Sequence, residues 1–409
     1  MNSPHTNADQ MMEQLELEKN LQRITHKIVV LSGKGGVGKS TVAANLAISL
    51  ALNGNKVGLL DVDFHGPSIP KLMGLENRRP DMFGQKLKPL GFNKHLKVMS
   101  LGMLAEPDEA VVWRGPMKMG ALQQLLRDVE WGALDYLIFD CPPGTGDEPL
   151  SVVQLIPNAT GAVVVTTPQA VSTADVRRSI KFCDKVNLPV LGVVENMSGY
   201  VDPETGKTLN LFGFGGGEAM AKEMHVPFLG RIPIEPQLVE ACDAGKPFVY
   251  FYGKTDTAAI FHKLTDAMLK EIEAREQLKE TAKQARSQKP AHIRRYAVPV
   301  EHGLLSEHFG HAEQFAIVDY NTKQNKVVKL TSKTPPSEGN GAYSQFLDEL
   351  ATDVVIARGV GEGTRDNLSG RGIELVMGAE IAKASDLVKA HAAGELQAGE
   401  STCQCRCNH

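Results

Sequence analysis

The stretch Gly33-Lys34-Gly35-Gly36-Val37-Gly38-Lys39-Ser40-Thr41 constrains this chain more than any other. It follows the apolar run Ile28-Val29-Val30-Leu31, which reads as a buried strand, and precedes the Ala/Leu-rich segment Val42 to Leu50, which favours helix. Strand, glycine loop and helix start, in that order, make a phosphate cradle. Backbone N–H groups close round the anion and the helix N-terminus adds partial positive charge. The spacing G-x-x-x-x-G-K-[ST] is complete from Gly33 to Ser40. It sets Lys39 to reach the β- and γ-phosphates of a nucleoside triphosphate and the Ser40 hydroxyl to sit on Mg²⁺. All nine residues are expected nucleotide contacts.

Further along, Lys56 to Asp63 reads as a second buried strand ending in the aspartates Asp61 and Asp63. Leu96 to Met103 reads as another strand and Met117 to Asp128 as a helix. Tyr136 to Asp140 is an apolar strand closing on an acid, followed by the proline–glycine loop Cys141 to Glu148. A carboxylate at the tip of a buried strand holds Mg²⁺ through water, and such a loop can move with the γ-phosphate. Strands at Ala162–Thr166 and Pro189–Glu195 flank a helix Ser172–Val186, with Ser172 and Thr173 as cap candidates. Strands alternating with helices predict an α/β fold, with a mostly parallel sheet covered by helices on both faces and ligands at strand C-termini. From Thr257 to about Gln288 a charged helix carries Phe261, Leu264, Met268 and Ile272 at helical spacing. A second α/β unit of about 100 residues begins near Ile293. The expected organisation is a polar lead-in at 1–25, a nucleotide-binding domain at 26–270, a charged helical linker at 271–291, a second domain at 292–396 and a Cys/His tail at 397–409.

The formal net charge of −4 argues against general nucleic-acid binding, and no apolar run approaches a membrane span. The polar start lacks a secretory apolar region, so the chain reads as cytoplasmic. Cys141, Cys183 and Cys242 sit in core-like contexts, whereas Cys403, Cys405 and Cys407 crowd the end beside His409. In an extended chain these four ligands face one way, about 6–7 Å apart. That suits a cluster, or ligands shared by two chains, in soft or borderline metals such as iron, copper or zinc.

The loop's second lysine, Lys34, makes it similar to the deviant Walker A of the MinD/ParA/NifH class, in which that lysine crosses a dimer interface to the partner's nucleotide. Six motifs in order resemble the Mrp/ApbC family of P-loop ATPases, which carry iron–sulfur clusters. They are Lys34–Thr41, Asp61–Ser68, Asp140–Asp147, Thr166–Gln169, Glu195–Ser198 and Gly230–Pro233. The resemblance implies ATP with Mg²⁺, catalytic roles for Lys34, Lys39 and Asp63, Mg²⁺ at Ser40, Asp61 and Asp140, and adenine contacts from Asn196, Ile232 and Pro233. In one place the chain departs from the family. The C-x-x-C pair that shares a cluster between two subunits is replaced by Tyr200 to Gly206, with Asp202 and Thr205 at the cysteine positions. Neither substitutes well for thiolate.

Residues from about Ile293 to Leu396 resemble the NifX/NafY family of iron–molybdenum cofactor-biosynthesis domains, through Ala297–Val300, Ser306–His311 and Asp353–Ala357. That likeness implies a smaller ribonuclease H-like α/β domain and makes His308 and His311 candidate cluster contacts. The fusion also resembles the ATPase partner of orange proteins, which hold a molybdenum–copper cluster. Together these imply a homodimeric ATPase that carries or assembles an iron–sulfur or mixed Mo/Cu/Fe cluster for an apo-metalloprotein, with no nucleic-acid or membrane partner. The alternative is a MinD/ParA-like positioning or regulatory ATPase that senses a cluster without carrying it.

Overall fold

Strands whose residues are buried on both faces can only be central in a sheet with helices on each side. The computed structural model describes residues 7–64, 66–84, 86–104, 115–335 and 342–396. The chain divides into two units, Met1–Ile272 and Glu273–His409.

The first unit begins with α1 (Asn7–Leu21), β1 (Ile24–Ser32), α2 (Lys39–Leu52), β2 (Val57–Asp61), α3 (Ile69–Leu72), the short β3 (Asp81–Phe83), β4 (Lys86–Lys88) and β5 (Leu90–Gly91), and β6 (Leu96–Ser100). There follow α4 (Gly115–Asp128), β7 (Leu134–Asp140), α5 (Asp147–Leu155), β8 (Gly161–Thr166), α6 (Ala170–Lys185) and β9 (Val190–Glu195). A hairpin of β10 (Tyr200–Val201) and β11 (Thr208–Leu209) precedes α7 (Gly216–Glu223), β12 (Phe228–Arg231), α8 (Pro236–Asp243), α9 (Phe248–Phe251) and α10 (Asp256–Gln288).

Its main sheet runs β12-β9-β8-β1-β7-β2-β6-β5. All pairs are parallel except β5–β6. Alternation of side chains splits the core in two. Ile28, Val30, Leu59 and Val163 pack under α2, α9 and the first half of α10. Val29, Leu31, Leu60 and Val164 pack under α1, α4 and α6. The expected sheet, covered on both faces, is what forms. Asp61 and Asp140 are register partners on β2 and β7, so their carboxylates leave the sheet at one level, beside the end of β1.

Local chemistry shifts several expected boundaries. The second strand stops at Asp61 rather than Asp63, because the Asp61 carboxylate accepts the Asp63 N–H at 3.1 Å and turns the chain. Leu96–Met103 divides into β6 and a 3₁₀ turn whose Gly102 N–H is capped by Ser100 Oγ. Neither Ser172 nor Thr173 caps α6, which starts after Gln169. Ser172 shares a 2.6 Å hydroxyl contact with Thr167, and Thr173 Oγ1 donates to the Ala170 carbonyl.

In the second unit, β13 (Ile293–Glu301), β14 (Leu304–Leu305), β15 (Gln314–Asn321), β16 (Lys326–Lys333), β17 (Val354–Ile356) and β18 (Glu374–Val376) form a mixed sheet ordered β16-β15-β13-β17-β18, with β14 on β13. Helices α11 (Ala342–Glu349), α12 (Glu362–Gly370) and α13 (Ala384–Ala392) complete a smaller α/β unit. The last turns of α10 belong to it: Ala282 is buried and Arg286 pairs with Asp348 at 2.6 Å.

Candidate functional site

The site is built where β1 hands the chain to α2. Gly36 and Gly38 take φ of 80° and 84°, the left-handed region that glycine tolerates. Gly38 is the N-cap of α2 and contributes no side-chain cap, so the helix's first N–H groups face the loop without a side-chain acceptor. A Cβ at Gly38 would stand 2.2 Å from Asn196 Nδ2, and one at Gly33 would meet the Asp175 backbone at 2.5 Å. Val37 is buried and Gly35 and Gly36 are exposed, so the loop presents its backbone outward.

Lys39 turns back over the strand tips. Its Nζ donates to Asp140 Oδ1 at 2.6 Å, lies 3.8 Å from Asp63 Oδ2 and is 3.4 Å from Ser40 Oγ. Burial disfavours the ammonium, but the Asp140 carboxylate, helped by Asp63, outweighs it and raises the Lys39 pKa. Asp140 is fully buried, and its Oδ2 has no hydrogen-bond partner among the described residues. A carboxylate with one unpartnered oxygen, beside the Ser40 hydroxyl, fits Mg²⁺, which takes one or two protein oxygens and completes its shell with water and phosphate. Among the described residues, no group of three or more His, Cys, Asp or Glu is set to hold a metal ion.

Asp61 behaves differently from its expected place on Mg²⁺. Its Oδ1 accepts from Asp63 N–H, and its Oδ2 accepts from Ile69 N–H at 3.2 Å and Ser100 Oγ at 3.1 Å. Burial, then the neighbouring Asp140 charge, pushes its pKa up to about 8. Asp61 therefore pins the loop that carries Asp63. Asp63 is buried, and its Oδ1 accepts from Gly66 N–H.

Asn196 reaches the loop, though through a polar contact with protein: its Nδ2 donates to the Val37 carbonyl at 2.9 Å. The expected adenine contact from Ile232 does not fit. Its side chain lies in the core, its N–H donates to the Glu195 carbonyl and its carbonyl accepts from Ser198 N–H. Pro233 is half-buried, as are Lys34 and Ser40. Thr41 Oγ1 is 4.0 Å from Cys242 Sγ. No ion pair among the described residues includes Lys34.

The place of the missing cysteine pair is the turn of the β10–β11 hairpin. Asp202 Oδ1 accepts from the N–H groups of Glu204 and Thr205, and the Asp202 carbonyl accepts from Gly206 N–H. The Glu204 N–H, then Thr205, hold that carboxyl below the usual range. In the second unit His308 is exposed and precedes a 3₁₀ turn, Phe309–His311. Cys403, Cys405, Cys407 and His409 lie outside the described residues, as does the His311 side chain.

Sequence reasoning gave no role to Glu195. Fully buried at the end of β9, it accepts from Ser198 Oγ, Gly215 N–H, Gly217 N–H and Arg231 Nε. The signal was present, since an acid directly before Asn196 closes an apolar strand just as Asp140 does. Asn45 was also missed; its amide donates to the Thr41 carbonyl and accepts Val249 N–H, tying α2 to α9.

Fold and site together define a P-loop nucleotide-binding protein. The chain belongs to the family described as NUBPL iron-transfer P-loop NTPase, which matches residues 23–269. Residues 293–394 match the family described as dinitrogenase iron-molybdenum cofactor. An iron-sulfur cluster carrier protein of Methanocaldococcus jannaschii is 46% identical over 275 residues, covering 67% of this chain and 94% of the relative. A cytosolic Fe-S cluster assembly factor NUBP2 homolog of Trichoplax adhaerens is 49% identical over 256 residues, covering 60% and 97%. Among solved structures, a nucleotide-binding protein of Archaeoglobus fulgidus in complex with ADP is similar at TM-score 0.52 and 40% identity, covering 58% of this chain and 93% of that one.

Proposed function

We propose that this chain hydrolyses ATP and uses the cycle, as a homodimer in the cytoplasm, to carry an iron–sulfur or mixed Mo/Cu/Fe cluster to an apo-metalloprotein. The observation that carries the reading is the convergence of Lys39, Asp63 and the orphaned Asp140 oxygen on the uncapped N-terminus of α2. The names of the relatives supply the cargo class. The first N–H groups of α2 and the glycine-loop amides hold the β- and γ-phosphates. A triphosphate there competes with Asp140 for the Lys39 ammonium, which neutralises charge as the terminal phosphoryl leaves. Asp63 orients the attacking water and accepts its proton, and Asp61 holds Asp63 in place. Ser40 and Asp140 would hold Mg²⁺, which draws charge from the phosphate oxygens when bound. Lys34 reaches the partner subunit's nucleotide. Because the hairpin turn carries no thiol, the cargo ligands are assigned to Cys403, Cys405, Cys407 and His409, with His308 and His311 of the second unit. The same turn favours a second reading, in which the ATPase senses a cluster held by the second unit without carrying it.

Nucleotide binding and steady-state hydrolysis test the ATPase half. Lys39→Ala is expected to abolish ATP binding. Lys34→Ala is expected to keep binding within about threefold while lowering turnover by about 10³-fold, the scale of a charge supplied in trans. Full turnover in Lys34→Ala would remove the trans-lysine role, and hydrolysis by Lys39→Ala would remove the site.

A further inference from the structure

The loops that leave β2 and β7 begin with Asp63 and Asp140, which both lie near Lys39, and one side chain from a third element touches both loops. Lys118, the fourth residue of α4, forms an ion pair with Glu148 in the first turn of α5, and its ammonium lies 5.6 Å from the centroid of the Phe64 ring. Phe64 follows Asp63 directly and is buried. Glu148 sits just past the Cys141–Gly146 loop that begins at Asp140.

The position of this charge is informative. Lys118 continues the helical spacing of Leu122, Leu125 and Leu126, all buried in the core on that face. Pattern alone would place an apolar residue there. The Lys118 side chain is only 13% exposed and that of Glu148 30% exposed. An ion pair and a cation–π contact are stronger in such a setting than on open surface.

We propose that Lys118 is a positioning residue that couples the Asp63–Phe64 loop to the Asp140–Glu148 loop, so that the two respond to the γ-phosphate as one body. Loops facing a γ-phosphate change their contacts when it is lost. Lys118 ties the one carrying Asp63 to the one carrying Asp140 without itself touching the reacting atoms. The inference rests on the ATPase reading above.

The test uses the full chain with Mg²⁺ and compares wild type, Lys118→Met and Lys118→Arg. Methionine keeps the length and suits the apolar stripe; arginine keeps both the ion pair and the ring contact. Two readouts are taken: kcat and KM for ATP, and hydrogen–deuterium exchange of residues 63–69 and 141–150 with ADP or a non-hydrolysable ATP analogue. Lys118→Met is expected to lose about tenfold or more in kcat with KM within about twofold, as for a lost positioning contact. The ATP analogue is expected to protect both segments together in wild type and Lys118→Arg, but to leave one unprotected in Lys118→Met. Glu148→Gln is expected to give the same split from the other end of the bridge. Wild-type kcat and joint protection in Lys118→Met would overturn the proposal, and so would a Lys118→Arg as defective as Lys118→Met. If wild type binds ATP but hydrolyses none, the ATPase reading fails, while the exchange comparison still decides the coupling.

Discussion

Glycines within one loop differ in what they are for. Gly38 combines a left-handed φ with an approach that leaves no room beside the Asn196 amide, whereas a Cβ on Gly35 would meet nothing within 4 Å. Gly38→Ala is therefore expected to cost about 1–2 kcal/mol from backbone strain alone, with more from the displaced amide. Gly35→Ala should stay within about 0.5 kcal/mol, both read by denaturant unfolding. Equal effects would show that the loop's conformation, as described, does not set its glycine requirement. Glu195 gives a second residue-scale test. Glu195→Gln keeps the shape but turns an NH₂ toward N–H donors of Gly215 or Gly217, at an expected loss of about 1–3 kcal/mol. An unchanged unfolding midpoint would show that these contacts contribute nothing. That Lys39, Ser40 and Asp140 come together was legible, because a fixed loop spacing and a strand tip set their positions. Asp61 and Ile232 were misplaced because a motif gives a residue's position in the chain but not the direction of its side chain. Only the fold shows that Asp61 faces Ile69 and Ser100.

At the scale of elements, the sheet was legible because central parallel strands are continuous apolar runs. Short or glycine-rich elements were not. Helix α12 reads Glu-Gly-Thr-Arg-Asp-Asn-Leu-Ser-Gly, poor in helix formers, and it is held by packing that includes the fully buried Leu368. The hairpin β10–β11 shows no alternation, since its turn is set by Asp202 hydrogen bonds. The last turn of α6 carries a pH-sensitive group: burial pushes the Asp184 pKa up to about 7. A raised carboxylate pKa favours the protonated folded chain. Its contribution to stability is complete below about pH 4, the unfolded value, and is lost as pH rises through about 7. The stability difference between wild type and Asp184→Asn is expected to change between about pH 4 and 7 in that direction and level off above. A pH-independent difference in thermal unfolding would contradict the assignment.

For the whole molecule, the two family matches fall on separate units, residues 23–269 and 293–394, joined through the continuous helix α10. The glycine loop lies in the first unit, and the turn of the β10–β11 hairpin carries no thiol; on the proposed reading the cargo falls to the second unit and the Cys/His tail. Among the described residues no helix is long and apolar enough to cross a membrane. The fold of both units was foreseeable from alternating strands and helices. The cargo ligands proposed from the sequence, Cys403, Cys405, Cys407, His409 and the His311 side chain, lie outside the described residues. The most direct measurement is anaerobic reconstitution with iron and sulfide, followed by cluster transfer to an apo-ferredoxin with and without Mg·ATP. Wild type, Lys39→Ala and a chain ending at Ser401 are compared by absorbance and metal analysis. Wild type is expected to take up a coloured cluster and release it in an ATP-dependent manner. Lys39→Ala should load but not respond to ATP, and the shortened chain should bind ATP but load poorly. A wild-type protein that stays colourless, or that transfers its cluster at the same rate without ATP, would contradict the carrier reading.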